Sequence, residues 1–143
     1  MSNTFIKTMT CGVLISDGTR LLICHPTNGK HWDIPKGRRD GPEMLGDAAV
    51  RELREETGIV LSSSDIKYIG VWDYKPTKTL ALFSYRVIDM PDPSSCFCTS
   101  MFEHDGQQIP EMDEWAVVTW EEAIPRMNSQ MSNILCEAKD MIW

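Results

Sequence analysis

A helix can be read from about Pro42 to Thr57, and its far end is built against the rules that stabilise helices. Pro42 suits a first helical turn, Glu43 suits the positive end of the dipole, and Gly58 suits a left-handed C-terminal cap. At helical spacing Gly46, Ala49, Val50 and Leu53 fall on one stripe. Gly46, Ala48 and Ala49 are small, so this helix can approach a sheet or loop closely. Glu52, Glu55 and Glu56 fall on the adjoining side, at i, i+3 and i+4, and so are surface neighbours. They stand in the last turn, where the dipole is negative and acidic groups are disfavoured. Stability alone would put lysines there. Three carboxylates in a place that repels them imply a cation that compensates.

The chain around this helix is of ordinary globular make. A length of 143 residues predicts one domain with a real core, and 42% hydrophobic and 24% charged residues agree. A net charge of −7 argues against a nucleic-acid coat protein, which would be basic. Phosphate ligands stay open, because fields are local and Lys36, Arg38 and Arg39 form one basic cluster. The cysteines, Cys11, Cys24, Cys96, Cys98 and Cys136, are odd in number and show no pairing pattern, which predicts reduced thiols. Cys96 and Cys98 with His104 match no standard zinc spacing. The sequence shows no signal-peptide pattern and no apolar run long enough for a membrane, so the expectation is a cytoplasmic protein.

Met9 to Ile15 and Arg20 to Cys24 are apolar runs around Ser16-Asp17-Gly18, a hairpin signal. Trp32 to Pro35 reads as extended, since Pro35 disfavours helix before it. Ile66 to Tyr74 and Thr79 to Ile88 read as strands, as do Cys96 to Phe102 and Glu114 to Thr119. His104 to Asp113 reads as an acidic loop, and Trp120 to Ile124 as a short helix. Met131, Ile134, Leu135, Ala138 and Ile142 recur at helical spacing, predicting an amphipathic helix from Ser129 to Trp143. Mixed strands with two main helices predict an α/β (α+β) sandwich.

Written as a pattern, residues 37–59 are G-x5-E-x7-R-E-U-x-E-E-x-G-U, with U a bulky aliphatic. Gly37, Glu43, Arg51, Glu52, Leu53, Glu55, Glu56, Gly58 and Ile59 fill every fixed position. The segment resembles the Nudix box of the Nudix hydrolases without departure. The resemblance implies one domain over 1–143, folded as an α/β/α sandwich with a mixed central sheet and a catalytic loop–helix–loop. It implies hydrolysis of a nucleoside diphosphate linked to another group, with Mg²⁺ as cofactor and Mn²⁺ as a possible substitute. Elementary chemistry reaches a similar place, since Mg²⁺ prefers oxygen ligands and is held by a few carboxylates plus substrate phosphates.

The resemblance implies metal ligation by Glu52, Glu55 and Glu56, joined by the backbone carbonyl of Lys36. It makes Glu52 the best candidate for activating water, with Glu55, Arg51 and Lys36 also in the catalytic set. Arg51 and Glu43 would orient the ligands, Arg51 also pairing with Glu55 four residues on, and Gly37 would permit a tight loop. A further carboxylate from a later loop is expected, with Glu103, Glu111 and Glu114 as candidates and Glu114 taken as the metal ligand. Lys36 in Trp32-Asp33-Ile34-Pro35-Lys36-Gly37 resembles the branch that cleaves dinucleoside polyphosphates, RNA 5′-triphosphate ends or inositol pyrophosphates. Lys36, Arg38 and Arg39 would hold a polyphosphate. Trp32 and Tyr74 are the preferred base-stacking residues, chosen among His31, Trp32, Trp72, Tyr74, Phe83, Tyr85 and Trp115. The expected substrate is a dinucleoside polyphosphate or nucleoside triphosphate, with an RNA 5′ end as the alternative. A non-catalytic nucleotide sensor ranks lower, because such modules usually lose acidic positions that are all present here. No membrane partner is expected, and the chain would act as a monomer or homodimer.

Overall fold

A computed structural model describes residues 7–142. The chain opens with β1 (Thr8–Ser16), β2 (Arg20–Pro26) and the short β3 (Lys36–Arg38), followed by α1 (Leu45–Thr57). Next come β4 (Lys67–Lys75), β5 (Lys78–Arg86), β6 (Met101–His104), β7 (Gln107–Pro110) and β8 (Met112–Thr119). It closes with α2 (Trp120–Ala123) and α3 (Ser129–Ala138).

The central sheet runs β4-β5-β1-β2-β8, with β3 added beside β1. It is mixed, because β1 and β5 are parallel while the other pairs are antiparallel. A parallel pair needs a crossover, and α1 lies in that connection. On one face, α1 packs Ala48, Ala49 and Leu53 against Cys11, Val13, Ile15, Leu22, Ala81 and Phe83. On the other, α2 and α3 pack Trp120, Met131 and Leu135 against Leu14, Leu21, Ile23, Leu80 and Leu82. Central strands covered on both sides should read as continuous apolar runs, as Val13-Leu14-Ile15 and Leu21-Leu22-Ile23 do. The α/β/α sandwich is therefore as expected. Among the described residues no helix is long and apolar enough to cross a membrane.

The β1–β2 turn follows its signal. Gly18 has φ of 98°, and the Asp17 carboxylate accepts the Thr19 and Arg20 N–H groups at 2.9 and 2.7 Å. Elsewhere the structure corrects the sequence reading. The helix begins at Leu45 instead of Pro42, because Gly41 turns at φ 52° and Met44 is still extended. Glu43 therefore tethers the entry loop and does not face the helix dipole; its Oε1 accepts the Asp40 N–H at 3.1 Å. Residues 96–100 form no strand, and residues 104–113 are not all loop. β6 and β7 make a hairpin turning at Asp105-Gly106, both with positive φ (51° and 78°). The predicted C-terminal helix ends at Ala138, followed by a short 3₁₀ turn at Lys139–Met141, and Trp143 lies outside the described residues.

Candidate active site

The last two turns of α1 are rotated further into the protein than the apolar stripe predicts. Glu52 and Glu56 are 8% and 2% exposed, sharing the buried face with Ala49 and Leu53, while Val50 stays half-buried. The strand they meet is β3. A side chain at Gly37 would overlap the Glu52 carboxylate, so glycine here serves close approach and not a special turn. The next residue back, Lys36, donates its N–H to Glu56 Oε1 at 3.1 Å.

Arg51 holds this cluster in shape. Its Nε and Nη2 donate to the two Glu43 carboxylate oxygens at 2.9 and 3.0 Å, a bidentate pair. Nη2 also donates to the Arg38 carbonyl at 3.0 Å. Nη1 reaches Glu52 Oε1 at 2.9 Å and Glu55 Oε2 at 3.3 Å. One guanidinium thus joins entry loop, strand and three of the box carboxylates. The orienting role expected of Arg51 and Glu43 has this geometry.

An acidic helix end also needs its carbonyls satisfied, and a loop that sequence reasoning missed does this. The Thr99 N–H donates to the Glu55 carbonyl at 2.7 Å and the Phe97 N–H to the Thr57 carbonyl at 3.1 Å. Trp115 Nε1 donates to the Glu56 carbonyl at 2.8 Å. Gly58, at φ 80°, closes the helix by donating to Arg54, and the Phe97 ring lies where its side chain would be. Arg54 is the basic residue of the last turn, and these N–H donors satisfy the carbonyls beyond it.

Burial leaves the carboxylates poorly compensated. It pushes Glu52 up to about 7, against the pull of Arg51. It pushes Glu56 up to about 9, against the Lys36 N–H and ammonium. Among the described residues no three acidic, histidine or cysteine side chains converge on one point at ligand distance. Arg51 instead takes up oxygens of Glu52 and Glu55. The donor set nonetheless suits a hard divalent cation: carboxylate oxygens only, a bare Gly37 opposite, and two buried acids that a cation would hold ionised.

The later carboxylates separate clearly. Glu111, half-buried just before β8, is close enough for its charge to raise the Glu52 pKa. Glu114 does not join the group. Trp115 and Val117 pack toward α1 while Ala116 and Val118 pack toward α3, so strand alternation puts Glu114 on the face away from the glutamates. Glu103 is exposed on the β6–β7 hairpin.

The expected substrate residues are similarly divided. The Lys36 ammonium is paired with Asp33 Oδ2 at 2.9 Å; burial works against its charge, and Asp33, Tyr74 and Glu56 together more than offset that. Arg38 and Arg39 are exposed. Tyr74 is 4% exposed and belongs to the core, with the Lys36 and Lys75 ammoniums each 5.3 Å from its ring centre. This burial leaves Tyr74 no free face for a base. Trp32 is half-buried, with His25 edge-on at 5.3 Å and the Arg126 guanidinium 5.8 Å from its ring.

The site is thus a carboxylate helix set against a glycine strand in a mixed α/β/α sandwich. The NUDIX domain model matches residues 7–138, and the chain belongs to the NUDIX family. It is 36% identical over 71 residues to the uncharacterized Nudix hydrolase YvcI of Bacillus subtilis, spanning 50% of this chain and 43% of that protein. It is 37% identical over 73 residues to the phosphatase NudJ of Escherichia coli K12, spanning 50% and 46%. The chain spans less than half the length of these relatives. Among solved structures, an Ap4A hydrolase binary complex from C. elegans superposes with a TM-score of 0.62 at 19% identity, covering 94% of this chain and 96% of that one. A NUDIX hydrolase from Nitrosomonas europaea superposes at 0.67 and 16% identity, covering 94% and 89%. At such identities these two likenesses establish the fold.

Proposed function

We propose that residues 1–143 work as one Mg²⁺-dependent pyrophosphohydrolase domain, cleaving a phosphoanhydride in a nucleoside diphosphate-linked substrate. A dinucleoside polyphosphate or nucleoside triphosphate is the favoured substrate. The observation that carries this reading is the pair of buried, undercompensated carboxylates of Glu52 and Glu56 against Gly37. Glu52, Glu55 and Glu56, with the Lys36 carbonyl, would hold the metal. Bound there, the metal would neutralise phosphate charge and lower the pKa of a water molecule.

The protein's own groups supply the rest. Arg51 occupies Glu52 Oε1, which leaves Oε2 to take a proton from the attacking water. A carboxyl held near 7 is well matched to that exchange at neutral pH. Glu111 replaces Glu114 as the late carboxylate of the site, since its charge is felt at Glu52. Arg38 and Arg39 add positive charge beside β3 for a phosphate chain. Of the expected aromatics, Trp32 remains the stacking candidate. The free cysteines support a reducing, cytoplasmic setting. Mn²⁺ is the expected substitute, and a bifunctional NMN adenylyltransferase/ADP ribose pyrophosphatase of Francisella tularensis, 43% of which this chain covers, was crystallised with AMP and a Mn ion.

The test is a phosphate-release panel over nucleotides, dinucleoside polyphosphates, nucleotide sugars and triphosphorylated RNA, with Mg²⁺ or Mn²⁺. Products formed in isotopically labelled water identify the phosphorus attacked. Hydrolysis that requires the metal and disappears in Glu56→Gln is expected. Absence of turnover across the whole panel would leave a sensor in place of an enzyme.

A further inference from the structure

On the other side of β3 from the glutamates lies a cleft of about 320 Å³, at the small end of ligand pockets. Its walls come from the start of β1, from β3, and from the turn between β4 and β5. In a chain of net charge −7, Lys36, Arg38, Lys75 and Lys78 all line it, with the Thr8 and Thr10 side chains between them. No carboxylate lines it among the described residues.

Sequence order hides this cluster, and strand pairing assembles it. Thr10 stands opposite Arg38 in the β1–β3 pair, and Thr8 opposite Lys78 in the β1–β5 pair. Lys75 and Lys78 are themselves paired across the β4–β5 turn. Like charges directly opposite each other in a hairpin are destabilising. Of the four cations only Lys36 has a carboxylate partner among the described residues, Asp33. Arg38, Lys75 and Lys78 are exposed and share the cleft without a carboxylate partner among the described residues. The arrangement repeats the logic of the glutamates with the sign reversed: charges that cost stability imply a partner of opposite charge.

The lining suits an anion better than a base. The one aromatic ring in the cleft is Tyr74, at 4% exposure and flanked by two ammoniums. β3 is a wall shared with the carboxylates, since Lys36 and Gly37 line the cleft while touching Glu56 and Glu52 from behind. We propose that this cleft binds a further phosphate group of the substrate, beyond the anhydride that is cleaved, with Lys75 and Lys78 as its specificity-determining residues. The substrate would then carry phosphate past the scissile bond, as longer polyphosphates do and nucleotide sugars do not. Only the catalytic half of this proposal rests on the pyrophosphohydrolase reading.

The test is the double variant Lys75→Ala/Lys78→Ala, two exposed side chains whose removal leaves both cores intact. Calorimetry with inorganic tripolyphosphate in EDTA reads the cleft without chemistry. Wild type and Glu52→Gln should bind it, and the double variant at least about tenfold more weakly, the scale of one lost charge-assisted contact. In turnover with Mg²⁺, the double variant should raise KM for a dinucleoside tetraphosphate by about tenfold with little change in kcat. Its KM for a nucleotide sugar should not move. No tripolyphosphate binding by wild type, equal binding by the variant, or equal KM changes on both substrates would overturn the proposal. Binding that depends on Lys75 and Lys78 without hydrolysis of any substrate would keep the anion site and remove the hydrolase reading.

Discussion

α1 and α3 pack on opposite faces of one sheet, and they are built to different ends. α3 buries Met131, Ile134, Leu135 and Ala138, caps its start with the Asn128 side chain at 2.8 Å from the Met131 N–H, and has Lys139 at its close. α1 has no side-chain cap at Met44 and buries Glu52 and Glu56 beside Leu53, with Arg54 the basic residue of its last turn. The buried face of α3 is wholly apolar, and that of α1 carries carboxylates where the family box lies. Such local conflict is expected where a fold gives up stability for function.

Substitution at each buried face separates the two most sharply. Glu52→Gln or Glu56→Gln should lower kcat by roughly 10²–10⁴, the usual weight of a positioned acid–base group. Neither should lower the melting temperature in EDTA at pH 8, since Glu52→Gln removes a buried charge and Glu56→Gln removes the need to take up a proton on folding. Wild-type turnover in either variant would end the assignment. Met131→Ala should do the reverse, costing about 2–5 kcal/mol in urea unfolding as core truncations do. Its kcat per folded molecule should stay at the wild-type value. A loss of kcat there would mean that α3 contributes to chemistry and the contrast is false.

Part of this was legible in the sequence. Spacing alone brought Glu52, Glu55 and Glu56 together, and continuous apolar strands predicted a sheet covered on both faces. The burial of Glu52 was not legible, because the helical period fixes a stripe but not how far the helix turns toward its neighbour. That depends on Gly37, whose missing side chain makes room for the carboxylate. The N–H groups of Phe97 and Thr99 were invisible because every residue but proline has one. Glu114 seemed as good as Glu111 until strand alternation placed it on the far face. Lys75 and Lys78 lie far from Lys36 in sequence, and the β1–β3 and parallel β1–β5 pairs together bring them to it. The Asp105-Gly106 turn carries the same signal as Asp17-Gly18, but its flanks, Glu103-His104 and Gln107-Gln108, are polar.

Titration offers a smaller effect that α3 cannot show, since its buried face is apolar. Glu52 and Glu56 have folded pKa values of about 7 and about 9, raised from 4.5. Above 4.5 the unfolded chain releases protons that the folded chain keeps, so ν_U is below ν_N and stability falls with rising pH. Metal-free protein should therefore be most stable near or below pH 4.5 as far as these groups act. Each group should cost on the order of 1 kcal/mol per pH unit, so the fall should be about twice as steep up to pH 7, where both act, as from there to 9, where Glu56 acts alone. Mg²⁺ binds the ionised form, so it should raise the melting temperature more at pH 8 than at pH 6. Thermal scans at both pH values, with and without Mg²⁺, check this. A flat metal-free profile would show that the two carboxylates are not raised.

The finest test compares a hydrogen bond at the end of each helix. Trp115→Phe keeps most of the ring but removes the N–H that reaches the Glu56 carbonyl at 2.8 Å. Asn128→Ala removes the cap that holds the first turn of α3. Each should cost about 1 kcal/mol of stability, by the usual worth of one such bond. If stability were all that mattered, the two variants would be alike in every other respect. They should differ in metal affinity, because Trp115 fixes the backbone that carries Glu56 while Asn128 fixes a helix with no ligand on it. Calorimetric titration with Mg²⁺ should show weaker binding by about tenfold, the lower end for loss of a ligand-supporting contact, in Trp115→Phe and none in Asn128→Ala. Equal losses would mean that affinity follows global stability, and that α1 is no more specialised at its end than α3.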